Sequence, residues 1–125
     1  MAGLSRPSIK FRSEVLGRRI ERVITAITGF RVVIGLAEMR HAQEHFLLPD
    51  MIFLELLEQV LRDPTRIFVD DRQHPQTYHL FYRLENGRYI CAVVKAATSG
   101  HYFASMYPTG KTIRNTHKKL KELKP

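Results

Sequence analysis

From Arg66 to Tyr107 apolar and polar residues alternate with a period close to two, and the pair Asn86-Gly87 interrupts them near the middle. A period of two places successive side chains on opposite faces of an extended chain. Asn-Gly tolerates the positive φ angles of a tight hairpin turn. The stretch therefore predicts strands over Arg66 to Val69, Thr77 to Leu84, Tyr89 to Ala97 and His101 to Tyr107. Short consecutive strands of this kind pair antiparallel.

Pairing outward from a two-residue turn at Asn86-Gly87 sets Glu85 opposite Arg88, Arg83 opposite Ile90, Phe81 opposite Ala92, His79 opposite Val94 and Tyr78 opposite Lys95. A second two-residue turn at Ser99-Gly100 sets Thr98 opposite His101, Ala96 opposite Phe103 and Val94 opposite Ser105. Opposed residues share a face. One face then carries His79, Phe81, Arg83, Ala92, Val94, Phe103, Ser105 and Tyr107. The other carries Tyr78, Leu80, Tyr82, Leu84, Val93, Lys95 and Met106 and reads as the core. The first, an apolar floor set with His, Arg, Ser and Tyr, suits a shallow RNA-cleaving cleft or an ordinary half-exposed sheet face.

Upstream of Arg66 the spacing reads as mostly helical. Leu16, Ile20, Val23, Ile24 and Ile27 recur at helical intervals and predict a helix from about Ser13 to Thr28, which Gly29 can end. Phe30 to Ile34 reads as a short strand. A second helix is expected over Ala37 to Leu47, broken by Pro49, and a third over Met51 to Leu61 with Asp50 as its cap and Pro64 beyond its end. The expected fold is α+β: N-terminal helices packed on a curved antiparallel sheet of about four strands. At 125 residues this is one domain, read as a basic N-terminal helix (1–29), a core (30–110) and a basic C-terminal tail (111–125).

The charge is uneven. Lys and Arg number 20 against 12 Asp and Glu, a formal +8. Residues 1–31 hold seven cations and two acids, residues 32–110 seven and nine, and residues 111–125 six and one. Basic ends around a mildly acidic middle suit a polyanion backbone or an acidic protein partner, or are a solvated surface. The candidate nucleic-acid contacts at these ends are Arg18, Arg19, Arg22, Lys111, Arg114, Lys118 and Lys119. No run approaches the roughly 18 apolar residues of a membrane helix. The N-terminus lacks the apolar stretch and small-residue cleavage site of a secretory signal, so no membrane partner is expected and the cytoplasm is the expected compartment. Cys91, the single cysteine, sits in an apolar run and reads as a small buried hydrophobe.

Two motifs fail on inspection. Gly110-Lys111-Thr112 mimics the end of a phosphate-binding loop, but position 105 is serine where that loop needs glycine. His41 and His45 stand four apart on one helical face, as zinc ligands can, yet Glu44 is misplaced for a metalloprotease and no third ligand is evident. Neither a metal nor another cofactor is expected. An imidazole can also move protons in the cleavage of an RNA phosphodiester, a use open to His41 or His45. Arg83, Lys95, Ser105 and Tyr107 are residue types that could stabilise or surround the reacting phosphate.

Taken in order, several features resemble a phage-associated branch of the barnase, EndoU, colicin and RelE-like nucleases. They are the strand Arg31-Val32-Val33-Ile34, a helix with His41 and His45 before Pro49, and a helix from Leu54 to Leu61 closed by Asp63-Pro64. The strands Leu80-Phe81-Tyr82-Arg83, Tyr89 to Lys95 and Ala104-Ser105-Met106-Tyr107 follow. The resemblance implies a barnase/EndoU/RelE-like fold and a metal-independent endoribonuclease of toxin or effector type, held by an inhibitor. It implies His41 or His45 as general acid or base, Arg83 as phosphate clamp, Ser105 as hydroxyl donor and Tyr107 as stacking or proton-relay residue. The chain departs from the pattern in having serine at 105 and in the expected placement of Lys95 on the face opposite Ser105. The alternatives are a non-catalytic nucleic-acid-binding module and a domain that binds an acidic protein.

Overall fold

In the computed structural model, which describes residues 20–27, 29–72, 76–97, 100–113 and 120–123, the β-branched runs decide the architecture. Strands β1 (Ile20–Thr25) and β2 (Arg31–Gly35) form an antiparallel hairpin that reverses through Gly29 at φ 94°. Helices α1 (Leu36–Gln43) and α2 (Asp50–Arg62) follow. Then come β3 (Arg66–Asp70), β4 (Gln76–Arg83), β5 (Tyr89–Ala97), β6 (Gly100–Pro108) and β7 (Lys121–Leu123). They make one sheet in the order β1-β2-β6-β5-β4-β3-β7. All its pairings are antiparallel except β2 with β6, which run parallel through Val32↔His101 and Val33↔Tyr102. The two helices carry the chain from β2 across one face to β3, and the meander from β3 to β6 brings it back beside β2.

This corrects the expectation of N-terminal helices on a four-stranded antiparallel sheet. Among the described residues there are two helices, they lie between β2 and β3, and the sheet is seven-stranded and mixed. The expected helix over Ser13 to Thr28 lies partly outside the described residues, and its described part is strand β1. Ile20, Val23, Ile24 and Ile27 do recur at helical spacing, but all four are β-branched, which stiffens χ1 and favours a pleated strand. In β1, Ile24 pairs with Val32 and is buried, while Thr25 is exposed.

The second expected helix stops at Gln43 rather than Leu47. Asp50 does not cap α2, whose N-cap is Pro49. Its carboxylate instead accepts hydrogen bonds from Arg40 Nη1 at 2.6 Å and Gln43 Nε2 at 2.9 Å, while Gln43 Nε2 also donates to the Leu48 carbonyl at 2.7 Å. These bonds clamp the end of α1 to the start of α2, and Leu47 turns the chain between them at φ 55°. Met39 and Ala42 of α1 and Phe53, Leu57 and Leu61 of α2 are buried against Val32, Ile34, Leu80, Ala92, Val94, Phe103 and Met106. That is the main core, and it occupies one face of the sheet.

The Asn86-Gly87 turn exists, but its connection holds three residues. Leu84 N donates to Arg88 O at 2.7 Å and Gly87 N to Leu84 O at 2.9 Å, with Gly87 at φ 86°. A tight turn followed by a left-handed glycine is the three-residue hairpin that ends in a bulge. The pairing is consequently Arg83↔Tyr89, Phe81↔Cys91, His79↔Val93 and Thr77↔Lys95, one residue away from the expected register. A one-residue slip moves every side chain of the strand to the other face. The β5–β6 pairing also differs, with Ala97↔Gly100 at the turn and Val94↔Phe103 beyond it. A bulge at Ala104 then resets it to Val93↔Ser105 and Cys91↔Tyr107. Phe103 and Val94 therefore join the helix-side core. Ser105 and Tyr107 stay on the face of Arg83, and Lys95 crosses over to join them.

The face opposite α1 and α2, helix-free among the described residues, has a smaller cluster of its own, in which Phe68, Phe81, Cys91 and Ile113 are buried and Tyr89, Val93, Tyr107 and Leu120 pack around them. The C-terminal stretch is thus not wholly a solvated tail, because Ile113 and Leu120 lie on the sheet and β7 extends it beyond β3. Arg66 fastens that strand, donating to both carboxylate oxygens of Glu122 at 2.8 and 2.7 Å while its guanidinium lies 5.1 Å from the Phe68 ring centre. Ile113→Ala should lower the free energy of unfolding by about 2–4 kcal/mol, within the usual range for large-to-small core changes. Urea denaturation measures it, and a loss below about 0.5 kcal/mol would mean that this segment does not close the cluster.

Candidate nucleic-acid interface

Across the helix-free face, opposed residues form rows. One row reads Phe68, His79, Val93, Ser105; the next reads Asp70, Thr77, Lys95, Tyr102. On the other side of the first lies Arg66, Phe81, Cys91, Tyr107. Neighbouring strands are about 5 Å apart, and residues two positions along a strand about 7 Å. Lys95 is therefore a diagonal neighbour of both His79 and Ser105, with Val93 between them as an apolar floor.

Burial differs sharply within this patch. Lys95 is exposed, while His79, Val93, Tyr102, Ser105 and Tyr107 are half-buried. Thr77 and Asp70 are buried behind them. The Asp70 carboxylate accepts from the Arg72 backbone N–H at 3.1 Å and from its guanidinium at 3.0 and 3.2 Å. Asp70 is thus taken up within its own turn, and among the described residues no salt bridge reaches Lys95. An unneutralised ammonium beside a hydroxyl, an imidazole and a phenol is an arrangement that can receive a phosphate.

Other sequence candidates are not brought here. His41 on α1 and His45 just after it are exposed, with ring centres 6.4 Å apart and edge-on. They belong to the helical layer, so the sheet stands between them and Lys95, Ser105 and Tyr107. Among the described residues no three His, Cys, Asp or Glu side chains gather as a metal site would require. Arg83 does share the face, but it sits six positions along β4 from the partner of Lys95, about 20 Å away. It borders an open groove of about 540 Å³ lined by Leu56, Gln59, Tyr82, Leu84, Glu85 and Asn86. From the row of Ser105, which meets β4 at His79, it stands four positions away, about 13 Å along the strand, and two strands across. Lys111 is exposed two residues before the buried Ile113. Arg18, Arg19, Arg114, Lys118 and Lys119 lie outside the described residues, as does the side chain of Arg22.

Two residues of the patch, His79 and Tyr102, escaped the sequence reading as site residues. The register was the obstacle: it set His79 in one row with Ser105 through Val94, but it put Lys95 on the opposite face, so no ammonium stood beside His79. A signal was present in Gly87, whose left-handed tolerance suits a three-residue connection as well as a two-residue one. His101, by contrast, lies on the helix side, stacked on Phe30 with ring centres 3.8 Å apart, and burial lowers its pKa. No helix among the described residues is long and apolar enough to cross a membrane. No family model, curated protein or solved structure matches the chain.

The floor of the neighbouring cluster is chemically quiet. Burial pushes the Cys91 thiol up from 9.0 to about 12, against a smaller opposing effect of a hydrogen bond with Tyr107. The folded state then holds the thiol proton where the unfolded state releases it. The contribution of Cys91 to stability is therefore constant at neutral pH and falls as pH rises above about 9. An aromatic disulfide reagent at pH 8 should label Cys91 only after urea unfolds the protein. Stoichiometric labelling within seconds in the native state would contradict this burial.

Proposed function

We propose that the helix-free sheet face binds the backbone of single-stranded RNA and that the protein is a metal-independent endoribonuclease acting there. The observation that carries the reading is the placement of the exposed Lys95 on one face with Ser105, Tyr102 and Tyr107. The formal +8 charge supports a polyanionic ligand, and the resemblance to barnase, EndoU, colicin and RelE-like nucleases supports RNA as that ligand. RNA brings its own nucleophile, because the ribose 2′-hydroxyl lies next to the phosphate it attacks. Protein groups then have to orient the strand, offset the charge growing on the phosphate oxygens and move protons. Lys95 supplies the charge, the Ser105 hydroxyl donates to a phosphate oxygen, and Tyr102 offers a ring for base stacking. The same charge suits an acidic protein inhibitor covering this face, and the same resemblance supports a toxin or effector role.

Labelled single-stranded RNA incubated with EDTA tests the reading. Wild-type protein should cut it, and a 2′-deoxy substitution at the cut position should abolish that cut. Lys95→Ala should reduce the rate about 100-fold to 1,000-fold, the usual cost of a lost charge-stabilising donor, while Arg83→Ala changes it only a few-fold. Binding without cleavage would make the domain a non-catalytic RNA-binding module instead. In a salt titration, Lys95→Ala should also reduce the slope of log affinity against log salt by about one.

A further inference from the structure

We infer that the groove beside Arg83 is a binding site for one unpaired nucleotide, with the base on its floor and the phosphate at the Arg83 guanidinium. The site is separate from the patch around Lys95, and nothing in it depends on cleavage. The groove encloses about 540 Å³, within the usual range for small-ligand sites. It opens where α2 faces the end of β4 and the hairpin that follows. Its floor is apolar, because Leu56, Tyr82 and Leu84 are half-buried and pack against the main core. One of the three is an aromatic ring, and a nucleobase of any identity has a flat face to stack on such a ring.

Polar groups with bonding capacity to spare stand around that floor. The Gln59 amide is exposed and makes no side-chain hydrogen bond among the described residues. Asn86 Oδ1 accepts from the Arg88 backbone N–H at 2.9 Å, which leaves its amide hydrogens to donate. Glu85 adds an exposed acceptor. Amides and carboxylates are the groups that read the hydrogen-bonding edges of bases. Arg83 is exposed, and among the described residues no salt bridge occupies its guanidinium. A guanidinium matches phosphate oxygens in geometry as well as charge. The nearby Glu85 carboxylate repels additional phosphates, so a monophosphate or a single phosphodiester suits the groove better than a triphosphate. The frame is set before a ligand arrives. Arg83 N donates to Thr65 Oγ1 at 3.0 Å, Leu84 N to Arg88 O at 2.7 Å and Gly87 N to Leu84 O at 2.9 Å, ordering that binding would otherwise have to supply. The same chemistry has two sources, a free nucleoside monophosphate and one nucleotide of an RNA strand.

Nuclear magnetic resonance of the isotope-labelled full chain tests the inference, in separate titrations with adenosine 5′-monophosphate, adenosine, ribose 5-phosphate and an uncleavable 2′-methoxy RNA octamer. The nucleotide should shift the backbone signals of residues 56–59 and 82–86 and bind more tightly than adenosine or ribose 5-phosphate. Arg83→Gln should weaken the nucleotide about tenfold, the usual scale for a lost charge-assisted hydrogen bond, and leave adenosine unchanged. Because the site acts on binding, the cleavage rate at saturating RNA stays within the few-fold change expected above for Arg83. Should the variant not fold, the wild-type titrations decide alone. Octamer signals at the same residues assign the groove to an RNA strand, and a response to the free nucleotide alone assigns it to that source. Residues 56–59 and 82–86 unmoved by millimolar nucleotide and by the octamer would overturn the inference. So would ribose 5-phosphate binding as tightly as the nucleotide, which would make the groove a bare anion site, or Arg83→Gln binding the nucleotide as wild type does. Wild type that leaves RNA intact in EDTA overturns the ribonuclease reading and does not touch these titrations.

Discussion

The geometry of the face opposite α1 and α2 depends on two single-residue irregularities in backbone pairing, one at the start of β5 and one opposite its middle. At the first, the hairpin connection takes up Glu85, Asn86 and Gly87 and ends in a left-handed glycine. At the second, Ala104 bulges out of β6 between Phe103 and Ser105. Each shifts the pairing by one residue, and because strand side chains alternate, each inverts which side chains face the helices. Together they place Phe103, Val94 and Ala92 in the main core and gather His79, Lys95 and Ser105 on the opposite face. With neither irregularity, Lys95 would point at the helices and Ala92 would lie beside Ser105.

The two faces consequently do different physical work. Against the helices the sheet presents fully buried apolar side chains, including Phe53, Phe103, Met106 and Leu57, and there the hydrophobic effect holds the fold together. On the far side a smaller cluster around Phe68, Phe81, Cys91 and Ile113 covers only part of the surface. The remainder is half-buried, with polar groups above an apolar floor. Half-burial lets a group keep a set orientation while remaining able to touch a ligand. Lys95, an exposed ammonium in that region, therefore bears on whatever anion arrives.

The positions of several elements were legible in the sequence, but their arrangement into a seven-stranded mixed sheet was not. Strands β3 to β6 lie within a residue or two of where the alternation places them, and α2 follows from its apolar spacing between Pro49 and Pro64. Strand β1 was hidden because Ile20, Val23, Ile24 and Ile27 fit a helical period, which their β-branching and the pairing with β2 together override. The parallel β2–β6 pair and β7 depend on contacts distant in sequence, which local patterns do not encode. For the site, residue type named Lys95, Ser105 and Tyr107, which the sheet brings to one face, and also His41 and His45, which lie in the helical layer, and Arg83, which stands farther along β4. Which residues share a face turned on the length of one turn and the presence of one bulge, and neither alters local composition.

The central claim is that RNA lies on the helix-free face across β5 and β6. Photo-crosslinking with a single-stranded RNA carrying 4-thiouridine, followed by mass spectrometry of the crosslinked peptides, tests it most directly. The account expects adducts within residues 89–108, with Tyr102 prominent, and their loss when unlabelled RNA competes. Adducts confined to residues 36–62, where α1 and α2 carry His41 and His45, would contradict it.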